Sequence, residues 1–98
     1  MLSRKQVLIP CVAESGLFSS ESAVQINIKD QSVSLFADNS LIVTRDGRNY
    51  LSVILMGDNG KPHHKSVLLP CEAFETGSRF LSIPEESILQ EDTQIAMA

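Results

Sequence analysis

Val24-Gln25-Ile26-Asn27-Ile28-Lys29-Asp30-Gln31-Ser32-Val33-Ser34-Leu35 is the stretch that decides the fold class. Apolar and polar side chains alternate with period two, the spacing of a strand with one face in a core and the other in water. If Asp30 and Gln31 make a two-residue turn, Lys29 faces Ser32, Ile28 faces Val33 and Ile26 faces Leu35, so the apolar faces coincide across the pair. A one-residue slip would send one apolar set to the wrong face.

The same pattern recurs on either side. Asp46-Gly47, a dipeptide suited to a type I′ turn, joins Leu41–Arg45 to Arg48–Met56 and sets Val43 opposite Tyr50 and Ile42 opposite Leu51. Tyr50–Met56 is apolar on both faces, as a central strand covered on both sides would be. Asn59-Gly60 turns the chain toward Lys65–Leu69, Val7–Val12 opens the sheet and Phe80–Ile83 closes it. One short helix is expected near the C-terminal end. Ser82-Ile83-Pro84-Glu85 has Ser and Glu at capping-box spacing and proline in the first turn, with Ile88 and Leu89 to pack behind. The fold class is therefore all-β, a small antiparallel barrel or sandwich of six or seven strands with one short C-terminal helix, the barrel being favoured.

An internal echo adds a possible pseudo-twofold repeat. Lys5-Gln6-Val7-Leu8-Ile9-Pro10-Cys11-Val12-Ala13 and Lys65-Ser66-Val67-Leu68-Leu69-Pro70-Cys71-Glu72-Ala73 agree at six of nine positions. Each copy reads as a strand stopped by proline, which cannot donate to the ladder. Either two strands share one recipe, or two halves of a barrel place Cys11 and Cys71 at equivalent strand ends.

The 98 residues, 43% apolar and 20% charged, leave room for one domain and one core, expected over 1–90, with 91–98 as an acidic tail. No apolar run reaches the roughly 18–20 residues of a membrane span. Arg4 and Lys5 imitate a signal peptide, but Val7–Ala13 is short, holds a proline and is followed by Glu14, so it reads as a strand. A cytoplasmic protein is expected, and the two cysteines, too few for a disulfide framework, agree with a reducing compartment. The net charge of −4 comes from Glu85, Glu86, Glu91 and Asp92, and the body before them is balanced. That balance argues against nucleic-acid binding, which draws on clustered basic residues.

The chemistry-bearing residues form no strong constellation. Cys11, Cys71, His63 and His64 are metal-ligand types, but no C-x-x-C or H-x₃₋₅-H spacing prearranges two of them, so no metal is expected, and Cys11 and Cys71 stand only as a candidate redox or metal pair. A cysteine nucleophile needs a base within reach, and neither Pro10-Cys11 nor Pro70-Cys71 has one locally. Gly57-Asp58-Asn59-Gly60-Lys61 lacks the spacing of a phosphate loop and the ligands of a calcium loop. In a meander, the turns at Asp30-Gln31 and Asp46-Gly47 share one end and gather Lys29, Arg45 and Arg48. Lys61, His63, His64 and Lys65 lie at the other end, near Asp38 and Asp58. Either set could serve as a small anion or partner contact. No catalytic residue and no cofactor are expected.

Gly77-Ser78-Arg79-Phe80, followed by Leu81-Ser82-Ile83-Pro84-Glu85-Glu86 and an apolar pair, is similar to the closing strand and helix of PilZ barrels. Asp38-Asn39-Ser40 sits where that family carries Asp-x-Ser. The family's next glycine is Val43 here, and of its N-terminal arginine pair only Arg4 is present. The resemblance implies a ligand-free adaptor barrel lacking the cyclic-dinucleotide motif.

The function expected is a protein-interaction or adaptor module, partnered by another protein or by its own copies, and not an enzyme. Leu17, Phe18 and Phe74 lie in Ser/Glu-rich connections, where they are either core plugs or exposed contacts, with core plugs expected. The rival is a small-molecule binder or enzyme with a pocket at one barrel end and Cys71, His63 or His64 in it.

Overall fold

The computed structural model describes residues 5–28, 31–58 and 60–90. Among these there are nine strands: β1 Lys5–Pro10, β2 Val12–Ser15, β3 Glu21–Ile28, β4 Gln31–Asp38, β5 Ile42–Arg45, β6 Arg48–Asp58, β7 His64–Leu68, β8 Phe80–Pro84 and β9 Leu89–Gln90. The all-β class holds. The strands make two antiparallel sheets instead of one closed barrel: β8-β7-β6-β1-β9, with β5 also on β6, and β2-β3-β4. The acidic tail expected over 91–98, the Lys29-Asp30 pair, Arg4 and Asn59 lie outside the described residues.

The chain changes sheets at Pro10-Cys11. Pro10 is the last β1 residue opposite β6, facing Tyr50, and the Cys11 N–H donates to the Asn49 carbonyl at 3.0 Å before β2 begins in the other sheet. Val7–Val12 is thus two strands with a corner at the residue that cannot donate.

The β3–β4 register differs from expectation by two residues. Ile28 is opposite Gln31, Ile26 opposite Val33 and Val24 opposite Leu35. A two-residue shift preserves the side-chain alternation, so the apolar faces still coincide and the pattern alone does not choose between the registers. In β5–β6 the expected pairs, Val43 with Tyr50 and Ile42 with Leu51, are present, and Asp46 and Gly47 both have the positive φ of a type I′ turn, 52° and 78°. The two hairpins lie in different sheets, so the single meander is corrected.

β6 organises the larger sheet. One edge pairs with β1 from Tyr50 to Leu55, while the other serves β5 over its first half and β7 over its second. Its faces are not covered equally: Leu51 and Val53 are buried, Ile54 is half-buried and Met56 is 40% exposed. Val7, Ile9, Leu51, Val53, Val67, Leu69, Leu81 and Ile83 from this sheet and its connections share one cluster with Val24, Ile26, Val33, Leu35 and Ala37 of the smaller sheet.

The C-terminal helix is replaced by a 3-10 turn, Glu85–Ser87, closed by the Ile88 N–H on the Glu85 carbonyl at 3.0 Å. Ser82, the expected cap, is held in the ladder opposite Ser66, and Ile83 is buried in the core. Pro84 is extended, and a few residues of helix would not repay their nucleation cost. The closing helix implied by the PilZ resemblance is absent among the described residues for the same reason. The echo is real at the level of a strand: Val7 and Ile9, like Val67 and Leu69, are buried, and Cys11 and Cys71 both pack on the core at the strand ends. It stops there, because the second copy runs into a loop where the first runs into β2.

Candidate functional site

Leu17 and Phe18 occupy the tip between β2 and β3 and are 76% and 68% exposed, so the core-plug expectation fails. The tip is braced from below. The Glu21 N–H donates to the Phe18 carbonyl and the Gly16 N–H to the Glu21 carbonyl, both at 3.2 Å. A Cβ at Gly16 would come within 2.8 Å of the Glu21 carbonyl oxygen, so only glycine permits this closeness. Asn39 ties the other side. Its N–H donates to the Ser20 carbonyl at 2.9 Å, its Nδ2 donates to the Ser19 carbonyl at 2.8 Å, and its Oδ1 accepts from Ser22 Oγ. Asp38 caps the following 3-10 turn by accepting from the Ser40 N–H at 2.9 Å, which holds its carboxyl below the usual range. The Asp38-Asn39-Ser40 motif therefore shapes the tip. An open cleft of about 480 Å³ runs beside it, bordered by Glu14, Leu17, Phe18, Glu21 and Asn39.

Phe74, the third expected plug, is 65% exposed and sits in the loop between β7 and β8. That loop lies along the edge of β4 that faces away from β3. The Phe74 N–H donates to the Ser34 carbonyl at 2.9 Å, and the Phe74 ring meets Phe36 edge-on with centroids 5.5 Å apart. Glu75 accepts the Ser34 N–H at 2.6 Å and the Ser34 hydroxyl at 2.7 Å, and these bonds lower its carboxyl pKa. Cys71 Sγ donates to the Phe36 carbonyl at 2.8 Å. Sequence reasoning missed this docking, since Ser34 and Glu75 are far apart in the chain and neither belongs to a local motif.

The residues singled out in the sequence fall in separate places. Arg45 and Arg48 face each other across the type I′ turn, a like-charge pair at one corner of the larger sheet. Lys29, expected beside them, lies outside the described residues. His63, exposed and at a positive φ of 60°, and half-buried His64 line a surface depression with Pro84, Glu85 and Glu86. His64 Nδ1 is 2.9 Å from the Pro62 carbonyl, a distance at which the nitrogen donates if it carries the proton. Lys65 bridges Asp58 at 2.5 Å and Glu85 at 3.3 Å, which raises its pKa. Among the described residues no three His, Cys, Asp or Glu side chains come together as a metal site would require. No helix among them is long and apolar enough to cross a membrane.

Both cysteines are free and half-buried. Burial pushes the Cys11 thiol up to about 11. At pH 8 the thiolate is then only about one part in a thousand, and iodoacetamide is expected to alkylate Cys11 at least about tenfold more slowly in the native protein than in urea. Equal rates, followed by mass spectrometry, would show the site to be open.

A cleft between the two sheets holds none of these candidates. It is about 260 Å³ and is bordered by Ile9, Pro10, Ile26, Ile28, Ile83 and Pro84 together with Asn27, Glu86 and Ser87. Compared with known proteins, the chain matches no family model, no curated protein and no solved structure.

Proposed function

We propose that this chain is a protein-interaction module that associates with its own copies or docks a partner protein, and that the contact is made by the Leu17-Phe18 tip. The observation that carries the reading is the combination of exposure and bracing: two large apolar side chains stand in water on a turn fixed by Gly16 and Asn39. Exposed apolar groups on a preformed support lose little ordering entropy on binding, which is how contact hot spots work. The acidic neighbours Glu14 and Glu21 favour an apolar partner groove with a neutral or basic rim. The two free thiols support placing the module in the cytoplasm.

The test is the mass of the full chain in solution across a concentration series, together with the Leu17→Ser/Phe18→Ser double variant. The native chain is expected to associate at high micromolar concentration. The variant is expected to be monomeric, with a stability within about 0.5 kcal/mol of the native chain because neither side chain is buried. A native chain that stays monomeric, or a variant that associates equally well, removes the tip from self-association.

A second reading has one observation behind it, the isoleucine-lined cleft between the two sheets. At about 260 Å³ it is just below the usual range for ligand pockets, roughly 300–1,000 Å³. A native mass spectrum of the purified protein showing a co-purified apolar molecule would favour it.

A further inference from the structure

Ser34 points both its backbone groups away from β3, since its N–H is held by Glu75 and its carbonyl by the Phe74 N–H. This is the edge of a sheet with no strand beside it among the described residues. A strand edge of this kind is a template for another chain, and folded proteins cover such edges. Here the cover is a strap, residues 71–75, and its two halves are held differently. Ala73 is buried in the core and Cys71 packs on it, so the first half is fixed. Phe74 and Glu75 are both exposed and are held by the Ser34 bonds and the Phe36 ring alone among the contacts described.

We propose that Phe74-Glu75 is a displaceable cover, and that the β4 edge beneath it pairs with the same edge of a second copy when the cover lifts. The occupant follows from the strand's own pattern. With a twofold axis at Val33, Ser32 of one copy stands opposite Ser34 of the other, and by period two both residues turn their backbone groups to this edge. Val33 and Leu35 remain on the core side and the serines on the solvent side, so the joined sheet keeps its faces. The contact is isologous and closes as a dimer. Glu75 is the latch, because a carboxylate accepting an N–H and a hydroxyl together is the strongest bond the cover makes. The proposal goes beyond the tip reading and uses a different surface.

The test is sedimentation equilibrium of the full chain, of Glu75→Ala and of Glu75→Gln, all in a Leu17→Ser/Phe18→Ser background that removes association through the tip. Amide exchange at Ser34 is measured in parallel. With Glu75 present, the chain is expected to be monomeric with a protected Ser34 amide. Glu75→Ala is expected to dimerise with a dissociation constant at least about tenfold lower, and Glu75→Gln to fall between. Adding Ser34→Pro should return Glu75→Ala to monomer, because that proline removes an N–H the β3 ladder does not use. The proposal is overturned if Glu75→Ala sediments like its parent, whether or not Ser34 exchange speeds up, or if its dimer survives Ser34→Pro. Should Glu75→Ala fail to fold, Glu75→Gln is judged by the same criteria. Failure here leaves the tip reading standing, since the tip is absent from every chain compared.

Discussion

Replacing Leu51 with alanine is expected to lower the free energy of unfolding by about 2–5 kcal/mol. Leu51 is fully buried, and it stands where β6 is paired on both edges, with Ile9 of β1 on one side and Ile42 of β5 on the other. The loss has two parts, the transfer free energy of the missing side-chain carbons and a cavity that the surrounding strands cannot close. A strand paired on both edges has little freedom to collapse into that cavity, which favours the upper half of the range. Domains of this size are stable by only about 5–15 kcal/mol, so the variant loses a large share of its margin. The measurement is a urea titration. The midpoint should fall while the slope stays the same, because the surface exposed on unfolding hardly changes. A loss under about 1 kcal/mol would mean that the core repacks around position 51.

Gly57→Ala is expected to cost about 1–3 kcal/mol, and Gly57→Ser the same, for a reason that involves no packing. Gly57 has φ +120°, and a Cβ built there would meet nothing within 4 Å. The penalty is therefore purely one of backbone conformation and should not grow with side-chain size. The residue sits in the bulge where the β6–β7 register shifts between Leu55 and Gly57. Such a bulge bends the strand and increases its twist, just beyond the point where β6 passes from β5 to β7. Thermal unfolding of both variants checks this. A Ser variant markedly worse than the Ala variant would point to crowding at the site, and two neutral variants would show that the bulge relaxes at no cost.

How much of this was legible in the sequence depended on the range of the interaction. The β5–β6 hairpin could be read to the residue because Asp46-Gly47 specifies both the turn and the register. The β3–β4 hairpin could be read only to within two residues, since Val24, Ile26, Val33 and Leu35 stay inward in either register. The helix at Ser82 was misread because a local capping signal was overruled by a distant partner: Ser66 holds Ser82 in the ladder and the core holds Ile83. The exposure of Leu17 and Phe18 was misread for a related reason. Hydrophobicity predicts burial on average, but whether a turn reaches the core is decided by its braces, and Asn39 comes from the 3-10 turn after β4. The Glu75–Ser34 contact has no local signature at all.

The position of β1 in its sheet also dictates an order of assembly. The first described strand, β1, lies between β6 and β9, so its Val7 and Ile9 cannot join the core until Leu51 and Val53 have been synthesised. On the ribosome, β3–β4 can close as soon as it emerges, while β1 waits for half the chain with its apolar side chains unpaired. The β1–β6 pairing is thus a long-range closure, the slow kind, and until β6 appears the apolar side chains of β1 lack that strand partner.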